Sequence, residues 1–299
     1  MDVQTLVEMI FIGLLRGGIY SLVAASLALL FGVMGVASFV QGDLAMLGAY
    51  IGYIIIASWG LDPLLSILVV IIVLFLFGLG IEKFLFSPLR RLSGERWVLN
   101  TFVLTLGVSI ILQNSALIIA GATYRGLPCL WEGNIYLFGF SLALDRLLIL
   151  LISITAISIF WAFLQKTKLG RAIRATSINE KAATIYGVNV NYIYLITVGI
   201  SCMLAGVAGV LLIPILTIYP TVGTLPLQRA WVITIISGLG NVKGSIYCSF
   251  LVGIIETIAY YALSAGWQNV VLFFAVTLVL MLKPSGLFGK KEVKGVWEK

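Results

Sequence analysis

The chain predicts an all-α polytopic bundle of membrane-crossing helices, with about 8–10 spans and one short or broken helix near 229–244. Three observations carry that reading. Of 299 residues, 61% are hydrophobic and only 10% charged, against about 25% charged in a soluble domain. The apolar residues run in stretches near the ~20 residues that a helix needs to cross a bilayer. The remaining basic residues gather beside those stretches.

Taken in order, apolar runs stand at roughly 7–31, 39–57, 63–81, 97–120, 147–164, 192–216, 245–263 and 267–282. A shorter piece, about 229–237, precedes Gly238-Leu-Gly-Asn-Val-Lys-Gly244. The start, Met1-Asp-Val-Gln-Thr-Leu-Val-Glu8, lacks a basic region, and the first apolar run is too long for a cleavable signal. No polar stretch is long enough for a soluble catalytic domain, so residues 1–299 read as a single transmembrane domain.

The net charge of +7 invites a nucleic-acid reading. Its distribution argues against one. Lys83, Arg90, Arg91 and Arg96 form one cluster. Lys166, Lys168, Arg171, Arg174 and Lys181 form a second, and Lys283, Lys290, Lys291, Lys294 and Lys299 a third. All three flank apolar runs, as cytoplasmic loops of membrane proteins do. For the second and third clusters to share a side, an even number of crossings must separate them, so the short piece 229–237 has to count as a crossing. Broken backbone at that depth requires protein or a water-filled cavity around it. Three runs precede the first cluster, which places the N-terminus outside and the C-terminus in the cytoplasm. Two polar segments then lie outside: 121–146, with Tyr124, Pro128, Trp131, Glu132 and Asp145, and about 217–228, with Pro220, Gly223 and Pro226. They read either as plain loops or as a face for a partner.

Several chemistries are excluded. Histidine is absent, which removes histidine-based acid–base catalysis and metal ligation. Cys129, Cys202 and Cys248 show no metal or disulfide spacing. The glycine-rich 238–244 stretch lacks the order of a phosphate-binding loop. No cofactor or metal is expected.

Polar residues inside apolar runs are the candidates for function. Ser38, Gln41, Gly42 and Asp43 interrupt two runs. They read as a lining of a solute path or as a short turn at the membrane surface. Arg16 and Glu256 lie deepest, and either serve function or pair with each other. Asp43 and Glu82 are expected at the interface, near span ends. Small residues at four-residue spacing, Gly13 and Gly17, Gly48 and Gly52, Ala205 and Gly209, suit close helix packing within one subunit.

Residues 167–190 stand apart. Arg171, Arg174, Asn179 and Glu180 alternate with Ala172, Ile173, Ala175, Ile178, Ala182, Ala183 and Ile185 at the three- and four-residue spacing of an amphipathic helix. Gly187 can end that helix, since glycine adopts a left-handed backbone freely. The segment is either a solvated loop that sets topology or a docking helix for a cytoplasmic partner.

That segment, with Glu180-Lys181-Ala182-Ala183 followed by Gly187, resembles the cytoplasmic coupling loop of ABC-importer permeases. Leu169-Gly-Arg-Ala-Ile-Arg-Ala175 and Ala205-Gly-Val-Ala-Gly209 are similar to the branched-chain amino acid permeases and their urea-transporting relatives. So is the block from Gly17-Gly-Ile-Tyr20 to Gly48-Ala-Tyr50. That block usually carries an Asn-Phe-Ala-His-Gly core, and Ser38-Phe39-Val40-Gln41-Gly42 stands in its place. The resemblance implies a permease subunit of an ATP-driven importer of branched-chain or other neutral amino acids, with urea as the alternative solute. It implies separate ABC ATPase subunits, a second permease chain, and an extracytoplasmic solute-binding protein, all around a lipid-embedded chain that is itself no enzyme. Arg171, Arg174, Glu180, Ala182, Ala183 and Gly187 would couple to the ATPase, and Ser38, Gln41, Gly42 and Glu256 would border the path. A stand-alone secondary transporter would need intramembrane carboxylates, for which Glu256 and Asp43 qualify. An intramembrane enzyme lacks the residues for most designs.

Overall fold

In lipid a backbone must bond to itself, which leaves helices as the means of crossing for a chain with these long apolar runs. The computed structural model describes residues 3–131, 133–137, 140–264 and 266–289. Asp2, Glu132, Lys290, Lys291, Lys294 and Lys299 lie outside the described residues.

Helix α1 spans Val3–Met34 and α2 spans Val40–Tyr53, widening into a π-type turn at Ile54–Ser58. Helix α3, Pro63–Ile81, opens on a Pro behind an Asp62 cap and runs through a second wide turn, Glu82–Phe86, into α4, Ser87–Ser93. Helix α5 is Trp97–Ala120. An antiparallel hairpin of β1 (Asn134–Leu137) and β2 (Phe140–Ala143) leads into α6, Leu144–Lys166. Two short helices follow, α7 (Lys168–Ile178) and α8 (Glu180–Ile185). The last four are α9 (Val190–Leu212), α10 (Thr224–Ser237), α11 (Val242–Ala262) and α12 (Trp267–Leu282). Seven of these stretches are long and apolar enough to cross a bilayer, and α10 and α12 are shorter at 14 and 16 residues. The chain is a multi-pass membrane protein.

Helix α1 is the axis. Leu22, Val23, Ala24, Ala25, Leu27 and Ala28 on it are wholly buried, with α9, α10, α11 and α6 packed around it. Small residues set the distances within this subunit. A Cβ on Gly17 would fall 2.7 Å from Phe250 Cα of α11, and one on Gly48 would fall 2.7 Å from Gly206 Cα of α9. Close backbone approach gains dispersion contacts that lipid alone would not supply. By contrast, the outer faces of α3 and α5 expose Leu68, Ile72, Leu76, Ile110, Ile111 and Ile118, which suits hydrocarbon.

The bundle has two distinct ends. One gathers α4, α7, α8, the Gly238–Lys243 turn and the Pro284–Gly289 segment. Arg90 there donates to Asn191 Oδ1 at 3.3 Å, and Leu287 N donates to Ile236 O at 2.8 Å. The other end joins the two polar segments expected to share a side: Arg125 and Ile218 form a two-way backbone bridge, and the Tyr124 and Tyr219 rings lie 5.5 Å apart.

Two stretches lie deeper than loops at a surface. Of the two readings of Ser38–Gly42, its burial favours the lining over the surface turn. Ser38 and Gln41 are buried, and Gln41 Nε2 donates to Ser201 Oγ at 3.2 Å. Ser201 sits at the midpoint of the 23-residue α9. Ser26 Oγ lies 3.2 Å from Gln41 Oε1, about 12 Å short of the end of α1. Residues 35–39 therefore turn back into the layer, and α2 starts at its middle. The second stretch is 217–228. Gly223 packs backbone to backbone on Gly42, and α10 starts at Thr224 rather than near 229. The stretch after Leu212 thus also dips to mid-depth, from which α10 runs about 21 Å to the basic end. Helices α2 and α10 begin side by side and leave in opposite directions.

Candidate functional site

Three places carry the polar chemistry. The first is the basic end. Thr167, Asn179 and Asn189 each cap the helix that follows, accepting from Gly170 N, Ala182 N and Tyr192 N at 2.9, 3.0 and 3.1 Å. Short side chains that accept from free N–H groups start helices efficiently. The expected single amphipathic helix is therefore two, broken at Asn179. Gly187, at φ +83°, ends α8 and returns Val188 N to Ala183 O at 3.0 Å.

Each helix turns one face to the spans and the other to solvent. Gly170, Ile173 and Thr176 of α7 and Ala183 of α8 are buried against the spans, while Ala182 is half-buried. Arg174 Nη1 donates to Gln165 Oε1 at 2.9 Å and so ties α7 to the end of α6. Arg171 and Glu180 are exposed. Ile178, Ile185 and Tyr186 are 74%, 84% and 88% exposed. At about 100° per residue, Ile178 lies about 140° around α7 from the buried Ile173, so it faces away from the spans. Behind α7 lies a cleft of about 990 Å³, bordered by Trp161, Gln165, Arg174, Ser177, Asn241 and Lys243 among others.

Beside this surface, Arg90 links three elements. Its Nη2 donates to Glu82 Oε1 at 2.8 Å, and its guanidinium lies 4.5 Å from the Tyr194 ring and 5.8 Å from that of Trp97. Glu82 is thus a buried partner of Arg90 at the basic end of the bundle, near the span end where the sequence placed it.

The second place is the mid-depth meeting of α2 and α10. Gln41, Ser26 and Ser201 form a closed set, with the Ser201 hydroxyl donating to Ser26 O at 2.7 Å. Asp43, expected at the interface, is buried in the first turn of α2, where a negative charge suits the helix dipole. Gln113 Nε2 of α5 donates to its Oδ1 at 2.9 Å, and its Oδ2 has no partner among the described residues. The Phe39 ring lies 5.2 Å from Phe102 and 5.6 Å from Trp231.

The third place is the ion pair. Glu256 of α11 does not pair with Arg16. Arg229 of α10 reaches it, with Nη2 and Nε at 3.0 and 3.1 Å from Oε1. Arg16 instead stands 6.0 Å from the Tyr260 ring and borders a recess near Cys129, Asp145 and Pro214. So Ser38, Gln41 and Gly42 come together, while Glu256 lies on the other side of α10. Arg229 escaped notice in the sequence because it is the first residue of the short apolar piece 229–237, directly behind Pro226 and Gln228.

Comparison with known proteins bears on the chain as a whole. The family model for the branched-chain amino acid transport system / permease component matches residues 9–282. The chain belongs to that family. Its relatives include the high-affinity branched-chain amino acid transport system permease protein BraD of Pseudomonas aeruginosa, 31% identical across 95% of this chain and 96% of that one. The permease protein LivH of Escherichia coli K12 is 27% identical across 97% of both chains. The probable branched-chain amino acid transport permease protein LivH of Methanocaldococcus jannaschii is 28% identical across 93% and 89%. No solved structure matches the chain.

Proposed function

We propose that the chain is the permease subunit of an ATP-driven importer carrying branched-chain or similar neutral amino acids across the cytoplasmic membrane. The observation that carries this reading is the near full-length match to permease proteins of high-affinity branched-chain amino acid transport systems. It also favours amino acids over urea. The basic end faces the cytoplasm, in keeping with the positive-inside rule, so the C-terminus is cytoplasmic and the N-terminus outside. The Arg125–Ile218 end receives solute from a binding protein. A second permease chain, identical or homologous, completes the path, and separate ATPase subunits hydrolyse ATP. No residue here makes or breaks a covalent bond.

Residues 167–190 are the coupling loop of the single domain. Arg171 and Glu180 meet the ATPase, with Ile178, Ile185 and Tyr186 as its apolar contacts. Arg174, Ala182 and Ala183 seat the helix pair on the spans, and Gly187 closes it. Ser38, Gln41 and Gly42 hold the mid-depth break beside the path, and Glu256 steadies α10 through Arg229.

The test is Glu180→Arg and Gly187→Val in the assembled complex. A valine at φ +83° costs about 1–2 kcal/mol in the left-handed region. Both variants are expected to lose uptake, with ATPase activity no longer responsive to loaded binding protein, or to lose the ATPase subunits on purification. Normal uptake and normal complex recovery in both would refute the assignment of 167–190.

A further inference from the structure

The starting point is an exposed amide at a depth where lipid does not tolerate one. Helix α10 starts at the middle of the layer, and Gln228 is its fifth residue, about 6 Å further toward the basic end. The inward face of α10 is spent on the bundle: Arg229, Ala230, Ile233 and Thr234 are buried. The outward face is a stripe of Thr224, Gln228 and Trp231 at helical spacing, with Thr224 and Gln228 exposed and Trp231 half-buried. Next to it stands Phe39, whose ring is 5.6 Å from Trp231.

Exposed polar groups on other spans are handled differently. Thr155 and Thr277 return their hydroxyl hydrogens to carbonyls of their own helices at 2.7 and 2.9 Å, which hides them from hydrocarbon, and Asn114 near the end of α5 donates one N–H to Ile110 O at 2.7 Å. The amide of Gln228 offers two N–H donors and a carbonyl, and no partner stands against it among the described residues. An unsatisfied amide in hydrocarbon costs several kcal/mol. A lipid-facing position there would be disfavoured, and the outer faces of α3 and α5 at similar depth carry Ile72 and Ile111 instead.

We infer that the α10 stripe of Thr224, Gln228 and Trp231, with Phe39, is the solute-contacting wall of the translocation path, facing water and not lipid. This rests on the importer reading above and adds which side chains the solute meets. The chemistry fits a small zwitterionic solute with an apolar side chain. The Gln228 amide supplies a donor and an acceptor to the polar end, and the Phe39–Trp231 surface takes the aliphatic end. Gln41, closed on Ser26 and Ser201, holds the backbone in place and makes no contact with solute.

The test places single cysteines at 224, 228, 72 and 111 in a chain with Cys129, Cys202 and Cys248 replaced by alanine, assembled with its partners in membrane vesicles. A charged, water-soluble thiol reagent is expected to label Gln228→Cys and Thr224→Cys about tenfold faster than Ile72→Cys and Ile111→Cys, because the reagent is excluded from hydrocarbon. Excess leucine should slow the first two only. Equal, slow labelling at all four positions would overturn the inference, whether lipid or a dry protein contact covers the stripe. With the native cysteines kept, Gln228→Leu is expected to raise the KM for leucine about tenfold with unchanged complex recovery, and Gln228→Asn to restore part of it. Unchanged KM in Gln228→Leu would also overturn it. If the parent complex took up no amino acid while the labelling contrast persisted, the importer reading would fall and the hydrated face would stand.

Discussion

Arg229 and Glu256 are the pair whose loss would cost the bundle most among the polar contacts described. A lone charge at the centre of a span costs about 2.5–3.5 kcal/mol on insertion scales, and breaking a buried pair by removing one partner costs about 3–5 kcal/mol. Arg229→Met is therefore expected to lower the thermal stability of the detergent-solubilised complex sharply. The double variant Arg229→Met with Glu256→Leu should regain most of the loss, because it leaves no buried charge. A double variant no more stable than the single one would show that the pair is not the structural unit argued here. Glu256 was visible in the sequence as a carboxylate inside an apolar run. Its partner was not, because Arg229 opens the short apolar piece 229–237 and so reads as a charge at its edge, and Arg16 was the nearest candidate by depth alone.

At the level of the element, glycine pairs decide how α2 and α9 meet. A Cβ at Gly48 would stand 2.7 Å from Gly206 Cα, whereas one at Gly107, on the outer side of α5, would meet nothing within 4 Å. Gly48→Leu is expected to destabilise the complex by about 1–3 kcal/mol through overpacking, and Gly107→Leu to leave its melting temperature near that of the parent. Equal effects of the two would contradict the packing described. The four-residue spacing of these glycines was legible in the sequence. The depth of the break before α2 was not: Ser38, Gln41 and Gly42 look like a surface turn because composition records polarity but not position. What places them inside is the Ser26–Gln41–Ser201 set and the Gly42–Gly223 contact, which join residues far apart in the chain. Likewise the spacing from Arg171 to Ile185 suits one helix, yet Asn179 prefers to cap, and the local hydrogen bond to Ala182 N outweighs continuity.

Across the whole molecule, placing the second and third basic clusters on one side requires the short piece to count as a crossing, and a re-entrant stretch before α10 suits that. The stretch from Ile213 to Gly223 enters the layer to its middle, and α10 completes the way. The same device, mirrored, begins α2. The helical bundle and the order of its apolar helices were therefore readable from apolar length. The mid-depth starts of α2 and α10 were not, since they rest on tertiary contacts. Two short helices starting at mid-depth beside one exposed amide make a narrow, partly polar wall in an otherwise apolar bundle, which suits passage of a small neutral or zwitterionic solute. The most direct test of that account is uptake of labelled leucine, and separately of labelled urea, by cells with and without this chain, each competed by the other. The account predicts that leucine uptake is lost without the chain, returns with it, and is indifferent to excess urea. Leucine uptake that persists without the chain while urea uptake disappears would contradict it.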